Sequence, residues 1–167
     1  MLSLIKVRNY AVIDEVEVEF QTGLSVMTGE TGAGKSILVD ALGLTLGERA
    51  DASAVRPGAD RAEISALFEC PDNHPAIKWL REHGLDEEHC CLLRRVVNSE
   101  GRSRAFINTH PVTRQDLRVL GAFLVNIHGQ SSHQALLRGP IQREVLDHHG
   151  GHQDLTNQVS ALFKAWQ

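Results

Sequence analysis

The sequence is poor in cysteine and has no long apolar run, and each shortage excludes a class of protein. Cys70, Cys90 and Cys91 form no Cys-x-x-Cys pair, so neither a disulfide framework nor a zinc site is supported. The apolar stretches are too short to span a membrane, and acidic residues come too early in the amino terminus for a signal peptide. We therefore expect a cytoplasmic protein with reduced thiols and no membrane partner.

A surplus of basic residues is also lacking. The net charge of −4 excludes a surface covered with phosphate-binding lysines, so any contact with nucleic acid must use a local patch or another part of the molecule. One candidate patch is a basic cluster on a predicted hairpin, made of Arg94, Arg95, Arg102 and Arg104. Such a cluster is explained either as a solvated face or as a contact with the DNA backbone.

What the sequence does contain is an alternation of strand and helix patterns. Strand patterns cover residues 2–20 (an antiparallel pair), 23–29 (a compact buried strand), 62–70 and 91–112 (a hairpin). Helix patterns cover residues 35–46, 73–84 and 113–123, the last with Thr113 as its cap. Together these predict an α/β fold with a mixed sheet and an antiparallel β-subdomain built from the opening strands and the hairpin.

The carboxy-terminal segment has a spacing of apolar residues that suits a helix. Leu155, Val159, Leu162 and Trp166 follow one another at steps of four, three and four. Two heptads fit either the start of a coiled coil or an ordinary amphipathic helix. We expect a division of the chain into residues 1–150, one lobe, and residues 151–167, the first part of a coiled-coil helix.

A glycine-rich loop between an apolar run and a helix pattern carries the chemistry. It matches the phosphate-binding pattern Gly-x-x-x-x-Gly-Lys-Ser in full, with Gly29, Glu30, Thr31, Gly32, Ala33, Gly34, Lys35 and Ser36. The glycines let backbone amides point at phosphate oxygens, and the following helix adds the partial positive charge of its amino terminus. Lys35 suits the β and γ phosphates and the Ser36 hydroxyl suits Mg²⁺. The loop predicts binding of a nucleoside triphosphate.

Two elements that such ATPases need for hydrolysis are missing from the sequence. An apolar strand that ends in Asp-Glu is expected, but the run before Asn126 ends without acids, and His148 follows the aspartate of Glu-Val-Leu-Asp. No turn resembling Leu-Ser-Gly-Gly occurs either. The chain therefore holds a phosphate-binding loop without the groups that would complete a catalytic site.

Five segments in order resemble the amino-terminal head segment of RecN, a family of bacterial DNA-repair proteins related to SMC proteins. They lie within residues 4–20, 29–51, 102–113, 124–134 and 145–150. The resemblance implies one lobe of an ABC-type ATPase head that is split in sequence. A long coiled coil follows this lobe, and a carboxy-terminal lobe brings the signature motif and the Walker B acids. It also implies ATP and Mg²⁺ as cofactors, head pairing in a homodimer, repair of DNA double-strand breaks and a cytoplasmic, nucleoid-associated location.

The same resemblance assigns roles to individual residues. Gln130 corresponds to the Q-loop glutamine, which ligates Mg²⁺ and senses the γ-phosphate, so Lys35 and Gln130 are the candidate catalytic residues. Arg56 corresponds to an arginine that approaches the nucleotide, although Arg49, Arg61 or plain solvent exposure remain alternatives there. Without the resemblance, Gln130 reads as an ordinary loop glutamine. Arg8 and Asn9, after the opening strand, are either nucleotide-lining residues or hairpin-turn residues.

These observations predict the ATP-binding lobe of a RecN-like ATPase, in which ATP drives head engagement. The lobe alone is expected to be inactive. The alternative is a DNA-tethering structural module that uses nucleotide only as an assembly switch. An ABC transporter subunit is disfavoured, because the heptad-like ending stands where a transporter would continue into its signature helix.

Overall fold

The structure is a computed structural model that describes residues 1–28, 34–87, 90–125, 127 and 139–166, without the side chains of residues 140, 141 and 144. The chain divides into two units, Met1–Asn126 and Ile127–Gln167. Each unit is described by itself below.

The first unit is built on one six-stranded sheet in which every pairing of the described strands is antiparallel. Its strands are β1 (Leu2–Tyr10), β2 (Ile13–Glu19), β3 (Arg61–Glu69), β4 (Cys90–Asn98), β5 (Ser103–Ile107) and β6 (His110–Val112). Their order in the sheet is β2-β1-β3-β4-β5-β6. The predicted opening pair and the predicted hairpin are both confirmed, and β3 joins them into one sheet.

Alternating burial shows which face of the sheet carries the core. In β3 the residues Ala62, Ile64, Ala66 and Phe68 are all fully buried, while their neighbours are only partly covered. This period of two is what a strand with one face on a core requires. Two clusters of buried residues lie on this face, one shared with the helices that follow β3 and β6, the other with the helix after the glycine-rich loop.

Three helices cover the core face: α1 (Lys35–Thr45), α2 (Pro75–Glu82) and α3 (Arg114–Leu124). Helix α2 begins with proline at its first turn and is followed by Gly84 at a φ of 65°, as the sequence predicts. Helix α3 begins with a capping box: the Thr113 hydroxyl accepts from the backbone N–H of Asp116, whose carboxylate accepts from the backbone N–H of Thr113. A short 3-10 helix lies at Ala52–Ala54.

The predicted strand over residues 23–29 is wrong for the part that the structure describes. Residues 21–28 form no helix or strand, and all are exposed. Leu24 is 93% exposed and Val26 is 75% exposed. An apolar strand needs hydrogen-bonding neighbours on its edges, and the described strands pair only with one another. The α/β fold class and the antiparallel β-subdomain are confirmed, whereas the predicted mixed sheet is not found among the described strands, whose pairings are all antiparallel.

The second unit holds two helices in its described part, α4 (Gly139–His149) and α5 (Gln153–Trp166). The turn between them contains Gly151 at a φ of 68°, and the Thr156 hydroxyl donates to the carboxylate of Asp147 across it. The predicted division of the chain at residue 150 falls at this turn. The four apolar residues with heptad-like spacing lie on α5, and each is at least 59% exposed. The coiled coil stays a prediction.

Among the described residues, no helix is both long enough and apolar enough to cross a membrane.

Candidate nucleotide-binding site

The amino terminus of α1 is open to an anion. Gly34 stands just before this helix in the left-handed region, with φ 99° and ψ −4°, and a Cβ added there would meet no atom within 4 Å. In the described part of the chain no side chain caps the helix, and its first turn holds no acidic residue. The first backbone N–H groups of a helix have no partner within the helix, and they carry its positive dipole end. This terminus therefore suits a phosphate group.

Helix α3 shows the opposite arrangement. It has Thr113 as its cap and Asp116 in its first turn, so its amino terminus already has both a hydrogen-bond acceptor and a negative charge. Helix α1 has Gly34 at the position of Thr113 and Ile37 at the position of Asp116. The two helices are both 11 residues long, so the difference lies in sequence and not in the size of the dipole.

Of the eight predicted loop residues, the structure describes three. Gly34 precedes α1, and Lys35 and Ser36 are its first two residues. Ser36 is exposed, while Lys35 is partly buried. The predicted loop residues Gly29, Glu30, Thr31, Gly32 and Ala33 lie outside the described residues, and so does Gln130. Their assignment stays a prediction.

Arg56 lies beside the turn that follows β1. Its backbone N–H donates to the carbonyl oxygen of Asn9 at 2.9 Å, and its Nη1 lies 2.7 Å from Oδ1 of Asp14. The Arg56 side chain is 39% exposed. The structure thus brings together Arg56 and Asn9, two residues that the sequence analysis named separately. The Arg56 guanidinium is paired with the Asp14 carboxylate at the molecular surface. To contact a nucleotide, Arg56 would have to leave Asp14.

Arg8 and Asn9 lie within β1 and not, as predicted, in the turn after it, and they line a pocket of about 530 Å³. Its other lining residues are Asp14, Glu15, Arg61 and Glu63. Asn9 has a φ of 52°, a value in the left-handed region that asparagine tolerates. Two arginines and three carboxylates therefore share its wall, so the pocket offers no concentrated positive charge for phosphate. Sequence reasoning missed Asp14, because an acid two residues after a turn has no distinguishing pattern.

Tyr10, the last residue of β1, interacts electrostatically with α1. Only 8% of the residue is exposed. Burial raises the pKa of the Tyr10 hydroxyl, and the negative charges of Asp40, Glu48 and Asp51 raise it further. Asp40 belongs to α1, so the end of β1 lies within electrostatic range of the helix that begins with Lys35 and Ser36.

The basic cluster of the hairpin does not form one face. Register places Arg94 opposite Phe106, and Arg95 opposite Ala105. Arg94 lies over the ring of Phe106, with 4.3 Å to its centroid, and pairs with Glu63 at 3.2 Å. Arg95 points to the core face and is only 3% exposed. Successive strand residues face opposite sides, so a single DNA-contacting surface cannot use both arginines.

Comparison with known proteins places the chain in a family. Residues 2–119, more than half of the chain, match the family model described as an AAA domain. The chain belongs to the AAA domain family. It is 44% identical over 167 residues to the DNA repair protein RecN of Vibrio cholerae serotype O1, a match that covers 100% of this chain and 30% of that protein. The predicted resemblance to RecN proteins is confirmed, and the chain spans about 30% of the length of the curated relative it matches.

Solved structures of SMC heads share the fold. One, from work on ATP-driven dimerization and DNA-stimulated activation of SMC ATPases, has a TM-score of 0.65 at 22% identity and covers 87% of this chain and 96% of that chain. The Smc head domain with a coiled coil and joint from Pyrococcus yayanosii has a TM-score of 0.66 at 16% identity and covers 98% of this chain and 38% of that chain. These likenesses confirm the predicted fold of an SMC-type head lobe.

Proposed function

We propose that this chain is the ATP-binding lobe of a DNA-repair ATPase whose heads resemble those of SMC proteins. The observation that carries the proposal is the uncapped amino terminus of α1, which directly follows a complete Gly-x-x-x-x-Gly-Lys-Ser sequence. An ordinary glycine-rich turn does not need an open helix end, whereas a phosphate site does.

The described residues fit a nucleotide with Mg²⁺. Gly34 leaves open space at the helix end, so a phosphate oxygen can approach the backbone closely. Lys35 supplies a positive charge for the β and γ phosphates, and the exposed Ser36 hydroxyl is a suitable oxygen ligand for Mg²⁺. Residues 29–33 would complete the loop. Gln130 would add an amide oxygen, and Arg56 a further positive charge. Bound ATP supplies the phosphoanhydride bond whose cleavage releases paired heads.

The remainder of the protein would complete the head. Residues 24–27 carry three exposed apolar side chains, Leu24, Val26 and Met27, next to the loop, and Val39 on α1 is 44% exposed. Exposed apolar side chains next to one another in sequence, as in residues 24–27, can mark a surface that another element covers. We assign that element to the carboxy-terminal lobe of the same protein, which would bring the acidic strand end and the signature turn. Residues 151–167 would begin the coiled coil between the two lobes.

In the complete protein, two heads would pair around the nucleotide. Each loop would face the signature turn of the other head in a homodimer, so ATP binding favours engagement and hydrolysis reverses it. We assign the repair of DNA double-strand breaks, in the nucleoid within the cytoplasm, to this complete assembly. Support for it comes from the similarity to the DNA repair protein RecN and from the SMC head fold.

The test is Lys35→Ala in the complete protein, with Lys78→Ala as the matched control. Lys78 lies on α2, is 80% exposed and makes only a 4.0 Å surface contact with Glu82. We expect Lys35→Ala to weaken ATP binding at least tenfold and to abolish both hydrolysis and ATP-dependent dimerisation, with an unchanged thermal midpoint. Lys78→Ala should behave as the parent protein. Hydrolysis at the parent rate in Lys35→Ala would show that the loop is not the catalytic cradle.

The same preparation separates the proposal from the alternative of a tethering module. An ATPase turns over ATP at a rate that DNA changes, whereas an assembly switch binds ATP and dimerises with little turnover. Steady-state hydrolysis measured with and without DNA, alongside sedimentation of the dimer, distinguishes the two.

A further inference from the structure

A pocket of about 800 Å³ lies between the end of α1, the start of α3 and the β5–β6 edge of the sheet. Its lining residues are Arg49, Ala50, Arg95, Ser103, Arg104, Ala105, Phe106, Pro111, Val112, Thr113 and Arg114. Four of these are arginines and none is acidic. All belong to the first unit, and none belongs to the proposed nucleotide loop.

Arg95 is the unusual member of this set. It lies on the core face of β4, opposite Ile64 on one side and Ala105 on the other. Its Nη2 donates to the Ser103 hydroxyl at 2.8 Å, but its Nε is the one buried side-chain nitrogen or oxygen among the described residues that has no hydrogen-bond partner. A buried polar group without a partner is costly, and a buried cation without a counter-charge is more so.

The surroundings of Arg95 add positive charge instead of neutralising it. Burial lowers the pKa of the Arg95 guanidinium, and the positive charge of Arg114 lowers it further. Arginine stays protonated in proteins nevertheless. Within the described part of the chain neither Arg49, Arg95 nor Arg114 forms an ion pair with a carboxylate, in contrast to the neighbouring Arg94 with its Glu63.

The nearest acid on α3 does not fill this role. The Asp116 carboxylate is occupied by the backbone N–H of Thr113 at 2.8 Å and by the Thr113 hydroxyl at 2.7 Å. It caps the helix and does not line the pocket. The pocket thus has a buried cation at its wall, three exposed arginines (Arg49, Arg104 and Arg114) and no acidic residue in its lining.

A close contact joins the two backbone segments that carry Arg49 and Arg114. Gly47, just after α1, lies directly against the backbone of Arg114 and Arg118 at the start of α3. Arg49 follows two residues later, so this contact brings its backbone near that of Arg114.

We propose that this pocket binds a phosphate monoester group, at a site separate from the nucleotide loop. The guanidinium fork matches the oxygens of phosphate in two-point hydrogen bonds. A monoester has three free oxygens and a charge near −2, which several arginines can share. A diester inside a nucleic acid strand is flanked by sugars on both sides, so it reaches the exposed rim but not the recessed Arg95. The group can come from a strand end or from a small phosphorylated molecule.

The test uses the complete protein with Lys35→Ala, so that phosphate binding at the nucleotide loop is weakened. Inorganic phosphate binding is measured by calorimetry in this background and with Arg49→Gln or Arg114→Gln added. Both arginines are exposed, so these changes leave the core intact. Arg81→Gln is the control, because Arg81 is a surface arginine of α2 paired with Asp72. We expect each pocket variant to weaken phosphate binding about tenfold and the control to leave it unchanged.

A second arm identifies the source of the phosphate. A 5′-phosphorylated oligonucleotide is compared with the same strand lacking the phosphate. Tighter binding of the phosphorylated strand that disappears in Arg114→Gln indicates a strand end, while inorganic phosphate binding without that preference indicates a small molecule. Either result supports the site. The proposal is overturned if the complete protein does not bind phosphate in the Lys35→Ala background. A carboxylate from the rest of the protein that fills the pocket would give this result. It is also overturned if the pocket variants and Arg81→Gln bind equally.

Discussion

A Cβ atom added at Gly47 would lie 2.4 Å from Cγ of Arg118 and 2.8 Å from the carbonyl oxygen of Arg114. Gly47 also has a φ of 90°, in the region that favours glycine. The Arg118 side chain can rotate away, but the carbonyl oxygen of Arg114 belongs to the backbone of α3 and cannot. Glycine at this position therefore allows the end of α1 to meet the first turns of α3. The contact shapes both the core and the arginine pocket.

Gly47→Ala should destabilise the first unit more than a glycine change in an open turn. The steric conflict and the left-handed backbone together should lower the free energy of unfolding by roughly 2–4 kcal/mol. Gly58→Ala is the matched control, because Gly58 has a φ of 86° but open space around its Cβ position. It should lose only about 1–2 kcal/mol. Urea denaturation measures both, and equal losses would show that the helix contact does not matter.

Much of the first unit could be predicted because its signals are local. The alternation in β3, the turn between β4 and β5, the cap at Thr113 and the glycine after α2 each depend on a few neighbouring residues. Local signals of this kind hold in the folded structure, because capping and turn side chains form hydrogen bonds with backbone groups close to them in sequence.

What the sequence could not supply depends on distant partners. Residues 23–28 have the apolar character of a strand, but a strand forms only when another edge pairs with it. Which of Arg94 and Arg95 faces the core could not be read either, because apolar residues occur on both faces of β4, as Leu92 and Leu93 show. The arginine pocket therefore emerges only from the register of the sheet and the crossing of α1 and α3.

The two arginines of the hairpin cluster that have carboxylate partners, Arg94 and Arg102, should contribute little to DNA binding. Arg94 is paired with Glu63, and Arg102 lies 3.6 Å from Glu100, so neither charge is available alone. We expect Arg94→Gln and Arg102→Gln to leave the salt dependence of DNA binding by the complete protein unchanged, as Arg81→Gln should. Binding is measured over a range of salt concentrations. A phosphate contact would appear as a slope reduced by about 0.9 for each arginine removed, and that result would assign the cluster to a DNA interface.

The 167 residues by themselves should bind ATP weakly and hydrolyse essentially none. The open end of α1, Lys35 and Ser36 offer contacts to phosphate in the ground state, which are enough for some binding. Hydrolysis needs more, namely a carboxylate that positions water and further groups that stabilise the charge spreading over the transferred phosphoryl group. The sequence contains no acidic strand end after an apolar run and no Leu-Ser-Gly-Gly turn.

Binding and turnover should therefore separate in this chain, because the rate depends on stabilising the transition state and not on binding the substrate. Adding the carboxy-terminal lobe as a second chain should restore hydrolysis, and the activity should rise with protein concentration as heads pair. Fluorescent ATP binding and phosphate release, measured on the same preparation with Lys35→Ala as control, report the two steps. Strong magnesium-dependent hydrolysis by the 167 residues alone, lost in Lys35→Ala, would instead identify a self-sufficient enzyme and remove the need for a second lobe.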